Sequence, residues 1–233
     1  MTGNDLADRV TAVAALADPT RRDLYLYVSG EPEPVSREQA AEALGIARHS
    51  AKFHLDKLVE ERLLQTAFRR LSGRQGPGAG RPTKLYSRSG DAVSVTLPER
   101  RYDLAGELLA TAIDASTGAG VVLTDALHAA AADWGRTIGD QARTAAGPRP
   151  SRDRILGVTC ETLAEQGYEP RRDGETITLS NCPFDALART HTALVCGMNL
   201  AIMEAVTDRV GQSELTARLE PRADRCCVVL DAG

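Results

Sequence analysis

The chain has 233 residues, room for two modest domains with a core each. Hydrophobic residues make up 42%, and no apolar run approaches bilayer-spanning length, which excludes a membrane-crossing helix. The net charge of −4 argues at first against a nucleic-acid partner, but residues 1–90 hold 14 basic and 11 acidic side chains against 14 and 21 in the remainder. Attraction to a polyanion is therefore expected from the N-terminal part alone, and it should be moderate and strongly salt-dependent. The start, Met1-Thr2-Gly3-Asn4-Asp5, has neither a basic end nor an apolar run, so a cytoplasmic location is expected. There thiols stay reduced, and the five cysteines suggest metal binding or redox sensing before disulfides.

In chain order, Leu6, Val10, Val13 and Leu16 mark an opening helix that packs under a following domain or contributes to a dimer interface. Asp18-Pro19 stops it, and Pro19 can open the next helix, with Leu24, Leu26 and Val28 facing a core. Glu31-Pro32-Glu33-Pro34 is a stiff connector. Ser36 then stands where an N-cap belongs, Gln39 completes a capping box, Ala40, Ala41 and Leu44 repeat at helical spacing, and Gly45 ends the helix. A second helix over about 47–63 turns Ala51, Leu55, Leu58 and Val59 inward. Its opposite side carries His49, Lys52, Phe53 and Asp56, flanked by Ser50 and Lys57. Donors for phosphates and base edges, with an apolar group for a thymine methyl, are what a DNA-reading helix needs.

Two strand-like segments follow, 65–71 and 83–87, around a stretch too rich in Gly and Pro to pack as core. Between Arg69 and Arg88 there are six basic residues (Arg69, Arg70, Arg74, Arg81, Lys84, Arg88) and no acidic one. A solvated charge run is the bland reading. Directly after a helix-turn-helix, counterion release makes such a hairpin tip a phosphate clamp. The expected contacts to double-stranded DNA are Arg48, His49, Ser50, Lys52 and Phe53 in the major groove with Lys57 beside them, and Arg74 and Arg81 on the backbone or minor groove.

Over about its first ninety residues the chain resembles winged-helix repressors of the ArsR and DeoR kind. The resemblance rests on Leu16-Ala17-Asp18-Pro19-Thr20-Arg21-Arg22, the Leu44-Gly45-Ile46 turn, Phe53-His54-Leu55-Asp56-Lys57-Leu58, and Gly80-Arg81-Pro82 leading to Leu85-Tyr86.

Composition changes after Arg88, placing a boundary near Gly90. Residues 100–115 and 121–144 are alanine-rich helices, one with a stripe of Leu104, Leu108 and Ala112, the other with Leu127, Ala131, Trp134 and Ile138. Pairing across a two-fold axis of a homodimer is expected of them, a monomer core being the ordinary alternative. Ser151 caps a helix that ends at Gly167 and holds Cys160 as a small apolar residue. Strands are expected at 176–180, 215–219 and 226–230. The fold class is therefore α+β: a winged helix-turn-helix over 1–90, a helical dimerisation region over 91–146, and an α+β sensor over 147–233.

The remaining cysteines, Cys182, Cys196, Cys226 and Cys227, show no short zinc-type pair with two to four residues between its members, so any ligands must come from different elements of an already folded domain. With Leu194-Val195-Cys196-Gly197-Met198-Asn199 and Cys182 at such wide spacing behind a wing, the chain also resembles SufR-type repressors of iron-sulfur cluster assembly operons. That resemblance implies a [4Fe-4S] cluster on Cys182, Cys196 and one of Cys226 and Cys227, and leaves the fourth ligand open among the other cysteine, His191 or a carboxylate. One continuous helix over 183–209 would separate Cys182 and Cys196 by about 21 Å along its axis. A shared centre thus requires a break, expected at Arg189-Thr190-His191-Thr192, with Cys196 in the first turn of the second helix. On a strand Cys226 and Cys227 would face opposite ways. Ordinary buried thiols, structural zinc, or a regulator sensing a small apolar ligand are the competing readings. No set of nucleophile, base and orienting group is visible, so no catalytic residue is expected.

Overall fold

The computed structural model describes residues 3–70, 82–211, 215–222 and 224–232. The chain forms two compact units that meet in sequence between Val95 and Thr96.

The N-terminal unit begins with α1 (Gly3–Ala15) and α2 (Pro19–Gly30), the latter capped by Asp18, whose carboxylate accepts from the Arg21 amide at 2.9 Å. A short β1 (Val35–Ser36) leads into α3 (Arg37–Leu44). The expected capping box is present: the Gln39 amide donates to Ser36 Oγ at 3.2 Å, and the Ser36 amide donates to Gln39 Oε1 at 2.8 Å. Gly45 ends α3 at φ 64°, a left-handed conformation that any side chain would strain. Then come α4 (Arg48–Glu60), β2 (Leu64–Arg69) and β3 (Thr83–Arg88). β3 lies between β1 and β2, antiparallel to both, with Phe68 opposite Lys84. Arg74 and Arg81 lie outside the described residues.

Two expected faces differ. In α1 the buried residues are Ala12 and Ala15, while Val10 and Val13 are exposed; the small side chains let the helix approach closely and turn its larger ones outward. Leu26 is 60% exposed because a step of two residues in a helix moves a side chain about 200° from Leu24, which with Val28 is fully covered.

In the C-terminal unit α5 (Tyr102–Ala119), α6 (Leu123–Ala146) and α7 (Arg152–Glu165) precede β4 (Pro170–Asp173) and β5 (Thr176–Leu179). Helices α8 (Asp185–Thr190) and α9 (Thr192–Gly211) come next, then β6 (Thr216–Leu219) and β7 (Val228–Asp231). The sheet is antiparallel throughout, in the order β4-β5-β7-β6. Helix α9 lies against β6 and β7, α6 lies against α9, and α5 and α7 lie against α6. Helix α9 buries Val195, Met198, Ile202, Met203, Val206 and Val210 and leaves Leu194, Glu204, Asp208 and Arg209 exposed. The stripes expected to pair between chains (Leu104, Leu108, Ala112; Leu127, Ala131, Ile138) are buried in this unit's own core. Residues 102–146 thus share one core with the sheet instead of standing apart as a linker.

Candidate nucleic-acid interface and cysteine centre

Helix α4 keeps Ala51, Leu55 and Leu58 against the core and leaves Arg48, His49, Lys52 and Phe53 exposed, with Ser50 half-buried. Phe53 is 65% exposed, an unfavourable place for a phenyl ring unless a partner covers it. Lys57 leans toward the carboxylates of Glu60 (3.1 Å) and Glu61 (2.8 Å), so its ammonium is already paired.

Asp56, expected beside Lys52 and Phe53 on the reading face, serves instead as a buckle between α4 and the wing. Its carboxylate accepts from Lys84 Nζ at 2.6 Å, Tyr86 Oη at 2.9 Å and Lys52 Nζ at 2.9 Å. Burial opposes its ionisation, but the hydrogen bonds from Lys84, Lys52 and Tyr86 outweigh burial and hold the carboxyl down to about 2. Between this buckle and the start of α3 runs a crevice lined by Arg37, Lys52, Phe68, Lys84 and Tyr86. Arg37 and Phe68 were not singled out from the sequence. The pairing of Phe68 with Lys84 across the hairpin, which spacing within one segment does not reveal, brings Phe68 to the crevice, and Arg37 reaches it from the first turn of α3.

In the C-terminal unit the chain breaks where expected. His191, with φ −129° and ψ 50°, closes α8, and its carbonyl accepts from Val195 in the opening turn of α9. The break lets α9 fold back, so that Cys182 (in the loop after β5) and Cys196 (in the second turn of α9) line one cavity of about 220 Å³. Cys226 and Cys227 line it too. They precede β7 and are not on a strand, so the rule of alternating faces does not separate them. Their backbones are fastened on both sides: the Cys226 amide donates to the Leu179 carbonyl at 2.9 Å, and the Glu220 amide to the Cys227 carbonyl at 2.7 Å.

The thiols form an open chain of contacts, Cys182 to Cys226 to Cys227 to Cys196. The hydrogen bond with Cys226, together with burial, pushes the Cys182 thiol up. Cys182 pulls Cys226 down, but Cys227 and burial outweigh it and carry that thiol up to about 12. Burial also raises Cys196, against the opposing contact with Cys227. Protonated thiols of this kind are not activated nucleophiles; they suit ligands that give up protons when a cation enters.

Behind Cys226 stands a buried relay that the sequence did not disclose. Tyr168 donates its phenol to Asn199 Oδ1 at 2.6 Å, which turns the Asn199 amide to donate to Cys226 Sγ at 3.1 Å. Asp185, Arg189, Arg222 and Arg225 also line the cavity, with Ala188, Thr192 and Pro221 between them. Arg225 bonds Glu220 through Nη2, while its buried Nη1 has no hydrogen-bond partner among the described residues. His191 is exposed and absent from the lining, and Cys160 is half-buried elsewhere in α7. Among the described residues no three His, Cys, Asp or Glu side chains are grouped as they would be around a single metal ion.

Residues 16–66 match the helix-turn-helix domain family. No curated protein matches the chain. With α3 and α4 as the helix pair and β2 and β3 as the wing, the N-terminal unit defines a DNA-binding transcriptional regulator of α+β fold. No helix among the described residues is long and apolar enough to cross a membrane.

Proposed function

We propose that this regulator is a homodimeric repressor of iron-sulfur cluster assembly genes and that a [4Fe-4S] cluster on Cys182, Cys196, Cys226 and Cys227 sets its affinity for DNA. The observation that carries the reading is the convergence of four thiols, from a loop, a helix and the lead-in to a strand, on one cavity. The donor set fits such a group. All four donors are sulfur, the usual ligand of iron-sulfur clusters, and they line one cavity. A single tetrahedral zinc, with Zn–S near 2.3 Å, needs a tighter cage than any three such donors form among the described residues. The arginines of the lining do not supply free positive charge for a cluster, since Arg189 is paired with Asp185 and both Arg222 and Arg225 with Glu220.

When bound, a cluster supplies a centre sensitive to oxidation and to iron supply, its potential tuned by surrounding hydrogen bonds. The protein's own part is to orient and shield it. Tyr168 fixes the Asn199 amide so that a Cys226 thiolate finds a donor waiting, the outer-shell role that sets ligand basicity. In the reading head, Arg48, His49, Ser50, Lys52 and Phe53 enter the major groove, and two heads of a dimer dock on half-sites about one helical turn apart. A sensor of an apolar molecule draws less support, because a second cavity of this unit sets His128, Arg136, Glu204, Asp208 and Arg209 beside Ala132, Ala201 and Ala205.

Anaerobic preparation with iron and sulfide tests the reading. A brown protein absorbing near 400 nm, whose affinity for operator DNA changes by about fivefold or more on cluster removal, is expected. A colourless protein that holds one zinc per chain, or a cluster whose loss leaves DNA affinity unchanged, contradicts it.

A further inference from the structure

The four thiols differ in how firmly their backbones are held. Cys196 sits in a twenty-residue buried helix that meets α6 at Gly135 and Gly139, where an added Cβ would collide with α9. Cys226 and Cys227 are bonded to β5 on one side and to the end of β6 on the other. Cys182 lies outside regular structure in the loop between β5 and α8, and its carbonyl accepts from the Asp185 amide at 3.1 Å. Of the segments that carry the thiols, the loop of Asn181, Cys182 and Pro183 is the one whose bonds lead toward the reading head.

That loop is bound to the first residues of the unit, the ones that continue the chain out of the reading head after Val95. Arg100 Nη1 donates to Asn181 Oδ1 and, at 3.1 Å, to the carbonyl of Cys182 itself. The Asn181 amide donates to the Glu99 carbonyl at 2.9 Å, and the Arg101 amide donates to the Pro183 carbonyl at 3.0 Å. Arg100 Nη2 reaches Asp185 at 3.8 Å, and its backbone amide is held by Thr96 Oγ1 at 3.0 Å. Asn181 is buried, so these bonds lie where water competes poorly.

From this, and resting on the reading of the thiols as a ligand site, we infer that residues 96–102 are a strap through which occupancy of the cysteine centre reaches the reading head, with Arg100 as its positioning residue. Rotation about the Cα–Cβ bond leaves the Cys182 carbonyl in place, so the route operates where ligation draws the Cys182 backbone toward Cys226 and with it the carbonyl that Arg100 grips. The strap then moves with it, and the tether of the head follows. Coupling by this route needs no change in α5 or α6.

The test compares full-length wild type, Arg100→Ala and Arg100→Lys, each empty, loaded anaerobically with iron and sulfide, or loaded with cadmium(II) alone as a thiol probe. Operator affinity and hydrogen exchange of the amides in 96–104 are measured, with metal content and circular dichroism confirming loading and fold. In wild type, loading is expected to change exchange in the strap and to shift affinity about fivefold or more. In Arg100→Ala, equally loaded and folded, the affinity ratio should fall to near one. Arg100→Lys, able to hold one of the two acceptors, should recover part of it. If Arg100→Ala loads and responds as wild type does, the strap is refuted while the cluster reading stands. A wild type that responds to cadmium but takes up no iron and sulfide refutes the cluster and keeps the strap; one that responds to neither refutes both.

Discussion

Asp56 shows how one side chain can belong to a reading face by helical arithmetic and to something else in space. Seen along α4 it falls beside Lys52 and Phe53, yet Lys84 and Tyr86 from β3 capture it. Its carboxyl is held near 2, below the ordinary value of about 3.9 in an unfolded chain. A depressed value of this kind contributes stability that is complete above about pH 4 and is lost as the pH falls toward 2. For a side chain 28% exposed, that contribution is on the order of 1–2 kcal/mol. Asp56→Asn should lower the stability of the reading head by this amount at pH 7. It should also flatten the pH dependence of urea unfolding between pH 4 and 2; an unchanged slope there would remove Asp56 from the account. Residues whose neighbours lie within a few positions were legible from sequence: Ser36 and Gln39 as a capping box, Gly45 as a helix end, His191 at a break. Asp56, Asn199 and Tyr168 were not, because the partners that set their roles (Lys84 and Tyr86 for Asp56, Tyr168 and Cys226 for Asn199) stand 27 or more residues away.

At the scale of elements, the contact between α6 and α9 decides where Cys196 stands. Gly135 and Gly139, one turn apart, let the two backbones meet: a Cβ on Gly135 would lie 2.3 Å from the Ile202 carbonyl oxygen, and one on Gly139 would lie 2.5 Å from Arg209 Cβ. Neither neighbour is the loose end of a flexible side chain, so the helices must separate to admit a methyl group. Gly135→Ala should therefore cost about 1–3 kcal/mol, read as a lower melting temperature of the full chain. Because α9 also carries Asn199, the same change should loosen the hold on Cys226. A variant as stable as wild type would show that the crossing is not close in solution. The apolar stripes on α5 and α6 were visible in the sequence, but not their occupant. Periodicity reports that a face is covered and says nothing of whether the cover is the same chain or another. Cys226 and Cys227 were misplaced for a related reason: β-branched neighbours suggested a strand from 226, whereas the ladder begins at Val228 and the two thiols turn into the cavity ahead of it.

For the whole molecule, a basic reading head precedes a unit that contains four converging thiols, and the covalent path between them runs through residues fastened beside Cys182. The charge division legible in the sequence falls near the same boundary, with the excess of basic side chains of residues 1–90 concentrated between Arg69 and Arg88. The most direct measurement of the central claim is iron and acid-labile sulfide per chain in anaerobically prepared wild type and in single Cys→Ser variants. The account predicts about four of each in wild type, a large loss on changing Cys182, Cys196, Cys226 or Cys227, and full retention in Cys160→Ser. Unchanged iron content in both Cys182→Ser and Cys196→Ser would contradict it.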